Sequence, residues 1–215
     1  MDEKLELVVT EGTFSLDGGS WEVENNVWLL GNDRELILID PAHDLKAIAD
    51  RVAGRSVKRI LFTHAHNDHI GIARQVSQEF SAPVYLNPQD RQLWQLRYPD
   101  WTFDYALSQE ETISIGHSQL KVLETPGHTP GSVCFYDPKL SWQGSQGVVI
   151  SGDTLFKGGP GATGRSFSDF PTIIDSIRSK LLTLPEETAV LPGHGPTSSI
   201  GAEKPDLGSW IKRGY

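Results

Sequence analysis

Apolar residues along this chain fall into short runs, each stopped by glycine, proline or an acidic residue. Asn25 to Leu30 (NNVWLL) and Glu35 to Asp40 (ELILID) flank the turn-rich tetrad Gly31-Asn-Asp-Arg34 and predict a β-hairpin. Leu45 to Val52 (LKAIADRV) has helical spacing and ends near Gly54. Lys58 to Phe62 (KRILF) reads as a buried strand running directly into Thr63-His-Ala-His-Asn-Asp-His69, and Ile70 to Phe80 reads as a helix. Leu120 to Glu124, Val148 to Ser151 and Thr188 to Leu191 are three further strands, followed by Thr125-Pro-Gly-His128, Gly152-Asp153 and Pro192-Gly-His194. Asp169 to Leu184 has the spacing of an amphipathic helix. Strands mixed with helices predict an α/β layered protein. Four of the strands end in loops that carry His or Asp. A strand end is a rigid place from which to aim a side chain, so four such strands sharing a sheet would gather their loops at one edge.

Asp90 to Glu111 differs, with Trp94, Tyr98, Trp101, Phe103 and Tyr105 set among polar residues. It reads either as a helix and loop packed on the core or as a flap beside a substrate pocket.

Length changes this picture little: 215 residues suffice for one sizeable core, and a single domain over 1–215 with a short tail at 196–215 is expected. Charge changes it more. At a formal −9 and with no basic run, the surface repels phosphate backbones, which argues against nucleic acid. The acidic start MDEKLELVVTEGTF is unlike a secretory signal, and no segment holds the ~20 apolar residues that span a bilayer, so a cytoplasmic protein with no membrane partner is expected. The one cysteine, Cys134, lies in an apolar strand-like run and reads as a buried, inert thiol.

The chemistry sits in the strand-end loops. Imidazole and carboxylate are ordinary zinc ligands, and His64, His66, Asp68 and His69 fall within six residues. In an extended segment His64 and His66 share a side. Asp68 and His69 follow a bend and can face a second ion. His128 and His194 end matching Pro-Gly-His loops, and Asp153 supplies a carboxylate able to bridge two cations. Of the other histidines, His43 lies in a loop after a strand, either lining the pocket or on the surface, and His117 reads as a structural or solvated turn residue. Asp40 ends an apolar strand, where it either steadies a metal ligand from behind or starts a loop before Pro41.

These motifs resemble those of the metallo-β-lactamase superfamily, in order and over roughly residues 25 to 196. Thr63 to His69 resembles its H-x-H-x-D-H signature, Leu123 to Ser132 its second histidine motif, Gly152-Asp-Thr-Leu-Phe156 its bridging-aspartate motif, and Leu191-Pro-Gly-His-Gly195 its last histidine motif. Asp40 matches its early strand-end aspartate. The resemblance implies an αββα four-layer sandwich with the metals at one sheet edge. It further implies that His64, His66 and His128 hold one ion, that Asp68, His69 and His194 hold the other, and that Asp153 bridges. The metals expected are two zinc ions, with iron or manganese as alternatives.

Within the superfamily the chain looks most like the glyoxalase II-type thioesterases and their short bacterial relatives, the nearest local match being Thr154-Leu-Phe-Lys-Gly158 and the Gly-rich stretch to Arg165. The expected activity is cleavage of a small-molecule thioester by a metal-bound hydroxide, which Asp68 would orient. Lys157 and Arg165 are candidates for holding a substrate carboxylate. Glyoxalase II carries a C-terminal helical domain that helps bind glutathione, whereas 21 residues follow His194 here, which leaves the thiol carrier open. Oligomeric state is open too. Two other reactions remain: a persulfide dioxygenase with one iron on His64, His128 and Asp153, and a lactonase or β-lactamase-type hydrolase.

Overall fold

The computed structural model describes residues 3–214. Along the chain the elements are β1 (Lys4–Leu16), β2 (Gly19–Gly31), β3 (Glu35–Ile39), α1 (Leu45–Val52), β4 (Ser56–Leu61), α2 (Asn67–Ile70), α3 (Ala73–Phe80), β5 (Val84–Leu86), α4 (Arg91–Arg97), β6 (Tyr105–Ala106), β7 (Thr112–Ile115), β8 (Ser118–Glu124), β9 (Val133–Asp137), β10 (Val148–Gly152), β11 (Leu155–Phe156), β12 (Gly159–Pro160), α5 (Phe170–Ser176), β13 (Ala189–Pro192), β14 (Ser198–Ser199), α6 (Ile200–Glu203) and α7 (Leu207–Arg213).

Two six-stranded sheets form, in the orders β1-β2-β3-β4-β5-β6 and β14-β13-β10-β9-β8-β7. They face each other because their strands alternate between two apolar layers. In β2 and β3, Trp28, Leu30, Ile37 and Ile39 point at Leu120, Val122, Phe135, Val148 and Ile150 of the opposite sheet. Their neighbours Val27, Leu29, Leu36 and Leu38 point the other way, onto Ile48 of α1, Val76 of α3 and Trp94 of α4. On the far side of the second sheet, Cys134, Val149 and Val190 pack against Ile173, Ile177 and Trp210. The result is helices, sheet, sheet, helices: the expected αββα sandwich. Strands buried on both faces read as continuous apolar runs, as ELILID does.

The hairpin expected around Gly31–Arg34 is present, with Trp28 opposite Ile39 and Gly31 opposite Leu36. The four ligand-bearing strands do not share one sheet. β4 belongs to the first sheet, whereas β8, β10 and β13 belong to the second. The loops still converge, because both sheets present the same end to one cleft.

The helix expected over 70–80 is interrupted: α2 ends at Ile70 and α3 starts at Ala73. The helix expected over 169–184 is α-helical only through Ser176 and then widens into a π turn over Ile177–Leu181. Residues after 196 are not a plain tail, since they form α6 and α7 and bury Trp210. Among the described residues, no helix is long and apolar enough to cross a membrane.

Within the Trp/Tyr-rich segment Trp94, Tyr98 and Phe103 pack on the core, while Leu93, Leu96 and Arg97 line a pocket beside His66. Trp94 is buried, with its ring centroid 6.2 Å from that of Phe62, and its indole N–H donates to Trp101 O at 2.8 Å.

Candidate metal centre

Each loop at the cleft is fixed by the residues around it. His66 precedes the first turn of α2, so Asp68 and His69 leave the chain in helical geometry while His66 leaves it extended. Asn67 pins this turn to β1: its amide accepts from Ser15 N at 2.8 Å and donates to Thr13 O at 3.1 Å. His128 follows β8, Asp153 follows β10, and His194 follows β13. The last loop needs glycine. A Cβ at Gly193 would lie 2.3 Å from Asp153 Oδ1 and 2.7 Å from His69 Cε1, inside the space where the side chains meet.

All seven sequence-assigned ligands come together. His66 Nδ1 lies 3.1 Å from His64 Nε2 and 2.9 Å from His128 Nε2. His194 Nε2 lies 3.3 Å from His69 Nε2 and 3.2 Å from Asp68 Oδ2. Asp153 touches both groups: Oδ1 is 3.4 Å from His69 Nε2, and Oδ2 is 3.5 Å from His128 Nε2 and 3.3 Å from His194 Nε2. Three sets have ligand atoms within 4.8 Å of one another: His64/His66/His128, His64/His69/Asp153 and Asp68/His69/His194.

The outer nitrogens show what the inner ones are for. His128 Nδ1 donates to Ala162 O at 2.9 Å, and His194 Nδ1 to Glu24 O at 2.6 Å. His69 Nδ1 faces Asp40 Oδ2 at 3.1 Å, and His64 Nδ1 faces Thr63 Oγ1 at 3.1 Å. With a proton on each outer nitrogen, the inner nitrogens present lone pairs to one another, an arrangement that only a proton or a cation relieves. Asp68 Oδ1 and Asp153 Oδ1 are buried with no hydrogen-bond partner. Buried lone pairs and orphaned carboxylate oxygens around one cleft fit bound divalent cations.

Electrostatics separates the two triplets. Burial pushes the His64 imidazolium well below its ordinary range and His66 down to about 3, so both are neutral nitrogen donors at neutral pH. Burial works against charge on Asp68, but His69 and His194 outweigh it and hold that carboxyl at about 2. Asp153 is likewise held low, with His194 and His69 overcoming its burial. Burial would also lower His194, yet Asp153 and Asp68 lift it to about 10, and Asp68, Asp153 and Asp40 lift His69. Without metal, the second triplet therefore stores protons that a cation must displace.

Asp40 takes the steadying role rather than that of a loop starter. It sits at φ 49°, accepts from Thr63 N at 2.7 Å and Thr63 Oγ1 at 2.6 Å, and faces His69. His43 is half-buried and reaches the site indirectly: its Nε2 is 2.8 Å from Asn25 Oδ1, and Asn25 Nδ2 donates to Asp68 Oδ2 at 3.3 Å. His117 is exposed. Lys157 and Arg165 are exposed and make no contact with the seven ligands; the Arg165 guanidinium lies 3.9 Å from the Trp21 ring centroid. Cys134 is buried, and burial raises its thiol to about 11, as expected of an inert one.

Two residues escaped the sequence reading. Asp90 is fully buried and accepts from Ala65 N at 2.8 Å, Gly131 N at 2.6 Å and Thr129 Oγ1 at 2.7 Å, which ties the His64/His66 loop to the His128 loop. Burial raises its pKa in spite of those donors. Asn25 is the other. Asn87-Pro-Gln-Asp90 resembles any turn, and Asn25 resembles any strand start, so neither carried a signal.

Comparisons with known proteins agree with this geometry. A family model described as the metallo-beta-lactamase superfamily matches residues 21–194. The chain is 36% identical over 197 residues to the probable metallo-hydrolase YqgX of Bacillus subtilis (strain 168), covering 85% of this chain and 90% of that one. It is 31% identical over 198 residues to the hydroxyacylglutathione hydrolase GloC of Haemophilus influenzae, covering 84% and 90%. Among solved structures, the B3 metallo-beta-lactamase BLEG-1 aligns with a TM-score of 0.75 at 33% identity, over 91% of this chain and 97% of that one. TTHA1623 in a di-iron-bound form aligns with a TM-score of 0.71 at 32% identity, over 91% and 97%.

Proposed function

Since this chain belongs to the metallo-β-lactamase superfamily and is a metal-dependent hydrolase of it, we propose that it cleaves thioesters of a low-molecular-weight thiol, in the manner of the glyoxalase II-type enzymes. The observation that carries the reading is Asp153, whose two oxygens face members of both triplets. His64, His66 and His128 would hold one cation, Asp68, His69 and His194 a second, and Asp153 would be shared. Zinc is the metal proposed, with iron as the alternative that the di-iron form of TTHA1623 supports. Two such cations supply Lewis acidity, bringing the pKa of water towards about 7 and stabilising negative charge on a carbonyl oxygen.

The protein's own part follows from its geometry. Asp68 is held ionised, and its Oδ1 is buried with no partner, so it can accept a hydrogen bond from the attacking water and aim it. The leaving thiolate has a conjugate-acid pKa near about 8.5 and departs without a general acid. Nothing in the cleft is needed to protonate it, whereas an amide nitrogen would require a donor. Lys157 and Arg165 flank the Gly-rich loop, where they can meet a carboxylate on the thiol carrier. The likeness to GloC supports the thioester class.

A panel of thioesters of glutathione and other small thiols, assayed on protein of measured metal content, tests this reading. Turnover that scales with two metals per chain is expected. Nitrocefin turnover in place of thioester turnover would move the reading to the β-lactamase side, which the likeness to BLEG-1 favours. One iron per chain with oxygen uptake would move it to a persulfide dioxygenase.

A further inference from the structure

Beside the ligand cluster, the end of β1 and helix α4 enclose a pocket of about 220 Å³ that His66 lines. Its apolar walls are Leu16, Ala65, Leu93 and Leu96. Apart from His66 Nε2, which is buried with no partner, the polar groups around it are engaged. Ser15 N and the Asn67 side chain bond to each other and to β1, as described above. Arg97 donates Nε and Nη2 to Gly71 O at 3.2 and 2.8 Å. Leu96, at its mouth, is 71% exposed, a large apolar surface with nothing over it. By contrast, a groove of about 890 Å³ between β1 and α1 is open and charged, and its Arg55 and Glu6 pair at 2.6 Å.

We propose that this pocket takes the acyl group of the substrate, and that the acyl group is an aliphatic chain of about four to eight carbons. The proposal rests on the thioesterase reading and names its acyl side. A carbonyl at the His/Asp cluster places its substituent within reach of the pocket, because His66 belongs to both. An apolar cavity of about 150 Å³ holds the six carbons of benzene, so a partly open 220 Å³ has room for a chain of this length. Small thiol carriers carry many polar groups, and a leucine-walled pocket whose one unpartnered polar atom is His66 Nε2 would strip most of their water without replacing it. The hydroxyl of a hydroxyacyl group faces the same penalty.

Acetyl, butanoyl, hexanoyl and octanoyl thioesters of N-acetylcysteamine, assayed on metal-loaded protein, test the proposal. Burying each methylene should raise kcat/KM by about twofold to fourfold up to hexanoyl. Leu96→Asp should flatten that gradient, and Leu96→Ala should weaken it. Equal kcat/KM across the series, or a gradient untouched by Leu96→Asp, overturns the proposal while leaving the thioesterase reading in place. If no thioester is cleaved, that reading fails instead, and the pocket is read by calorimetry of zinc-loaded protein with butanoate, hexanoate and octanoate. Binding that tightens with chain length and loosens in Leu96→Asp supports an aliphatic acyl site; equal affinities overturn it.

Discussion

The two ligand triplets lie in one cleft yet differ in kind. His64, His66 and His128 are three imidazoles, two of them pushed by burial to stay neutral. Asp68, His69 and His194 include a carboxylate that is held ionised and two histidines that are held protonated. The first is a set of imidazoles whose loops are braced by Asp90. The second is a proton store braced by Asp40 and Asn25. One fold thus presents two sites with different proton linkage, and the shared Asp153 is what makes them a pair.

Removing the shared group should have the largest effect. Asp153→Ala takes a ligand from both triplets, and its loss should exceed the 10–100-fold typical of supporting partners, falling by roughly 10³-fold or more in turnover. Metal analysis should show fewer than two ions per chain. Full activity with two ions retained would mean that the triplets act independently.

The proton linkage comes next in size. In metal-free protein His194 is lifted from 6.5 to about 10, so its charged form favours the fold. That contribution is full below about pH 6.5 and is lost as pH rises through 10, so the melting temperature of metal-free protein should fall over this interval. Asp68 behaves in the opposite sense: held at about 2 from 3.8, its contribution is present above 3.8 and fades as pH drops through 2. Affinity for the second ion should climb with pH, about tenfold per unit for each proton displaced, while the neutral His64 and His66 add no such slope to the first. Two ions with equal pH slopes would erase the distinction.

The seven ligands were legible because His and Asp at strand ends stand out against apolar runs. The sheet assignment was not, because a run buried on both faces looks the same in either sheet: KRILF and LKVLE differ in no feature that tells them apart. The break at Gly71 was hidden by apolar spacing that continues through it. Residues 207–213 gave little warning that Trp210 would anchor a helix, since one aromatic residue is a weak periodic signal. Asp90 and Asn25 were illegible for a deeper reason. Their roles are defined by which backbone groups come near them, and proximity across the fold leaves no mark on local sequence.

The bracing residues can be exchanged to test whether the triplets are separately held. Asp90→Asn removes an acceptor from the loops of His64, His66 and His128, whereas Asp40→Asn removes the partner of His69 Nδ1. Each should weaken metal binding by about 10–100-fold, the first chiefly for the His64/His66/His128 ion and the second chiefly for the other, with a smaller effect on His64 through Thr63. Sequential titration with a chromophoric chelator resolves the two steps. Equal weakening of both steps by either variant would show a single rigid cluster.

The smallest expected effect is at Asn25, and it sharpens the comparison most. Asn25 links His43 to Asp68 through bonds of 2.8 and 3.3 Å and touches no ligand of the first triplet. Its amide donates to an ionised carboxylate, but at a distance that marks a weak bond. Asn25→Ala should therefore cost about 1 kcal/mol, or roughly fivefold, in affinity for the second ion alone. Asn25→Asp keeps the shape but sets a second negative charge against Asp68. It should hurt turnover more than alanine does, because two carboxylates at that spacing repel and one must take a proton. If alanine and aspartate behave alike, the amide is only filling space, and Asp68 owes its position to His69 and His194 instead.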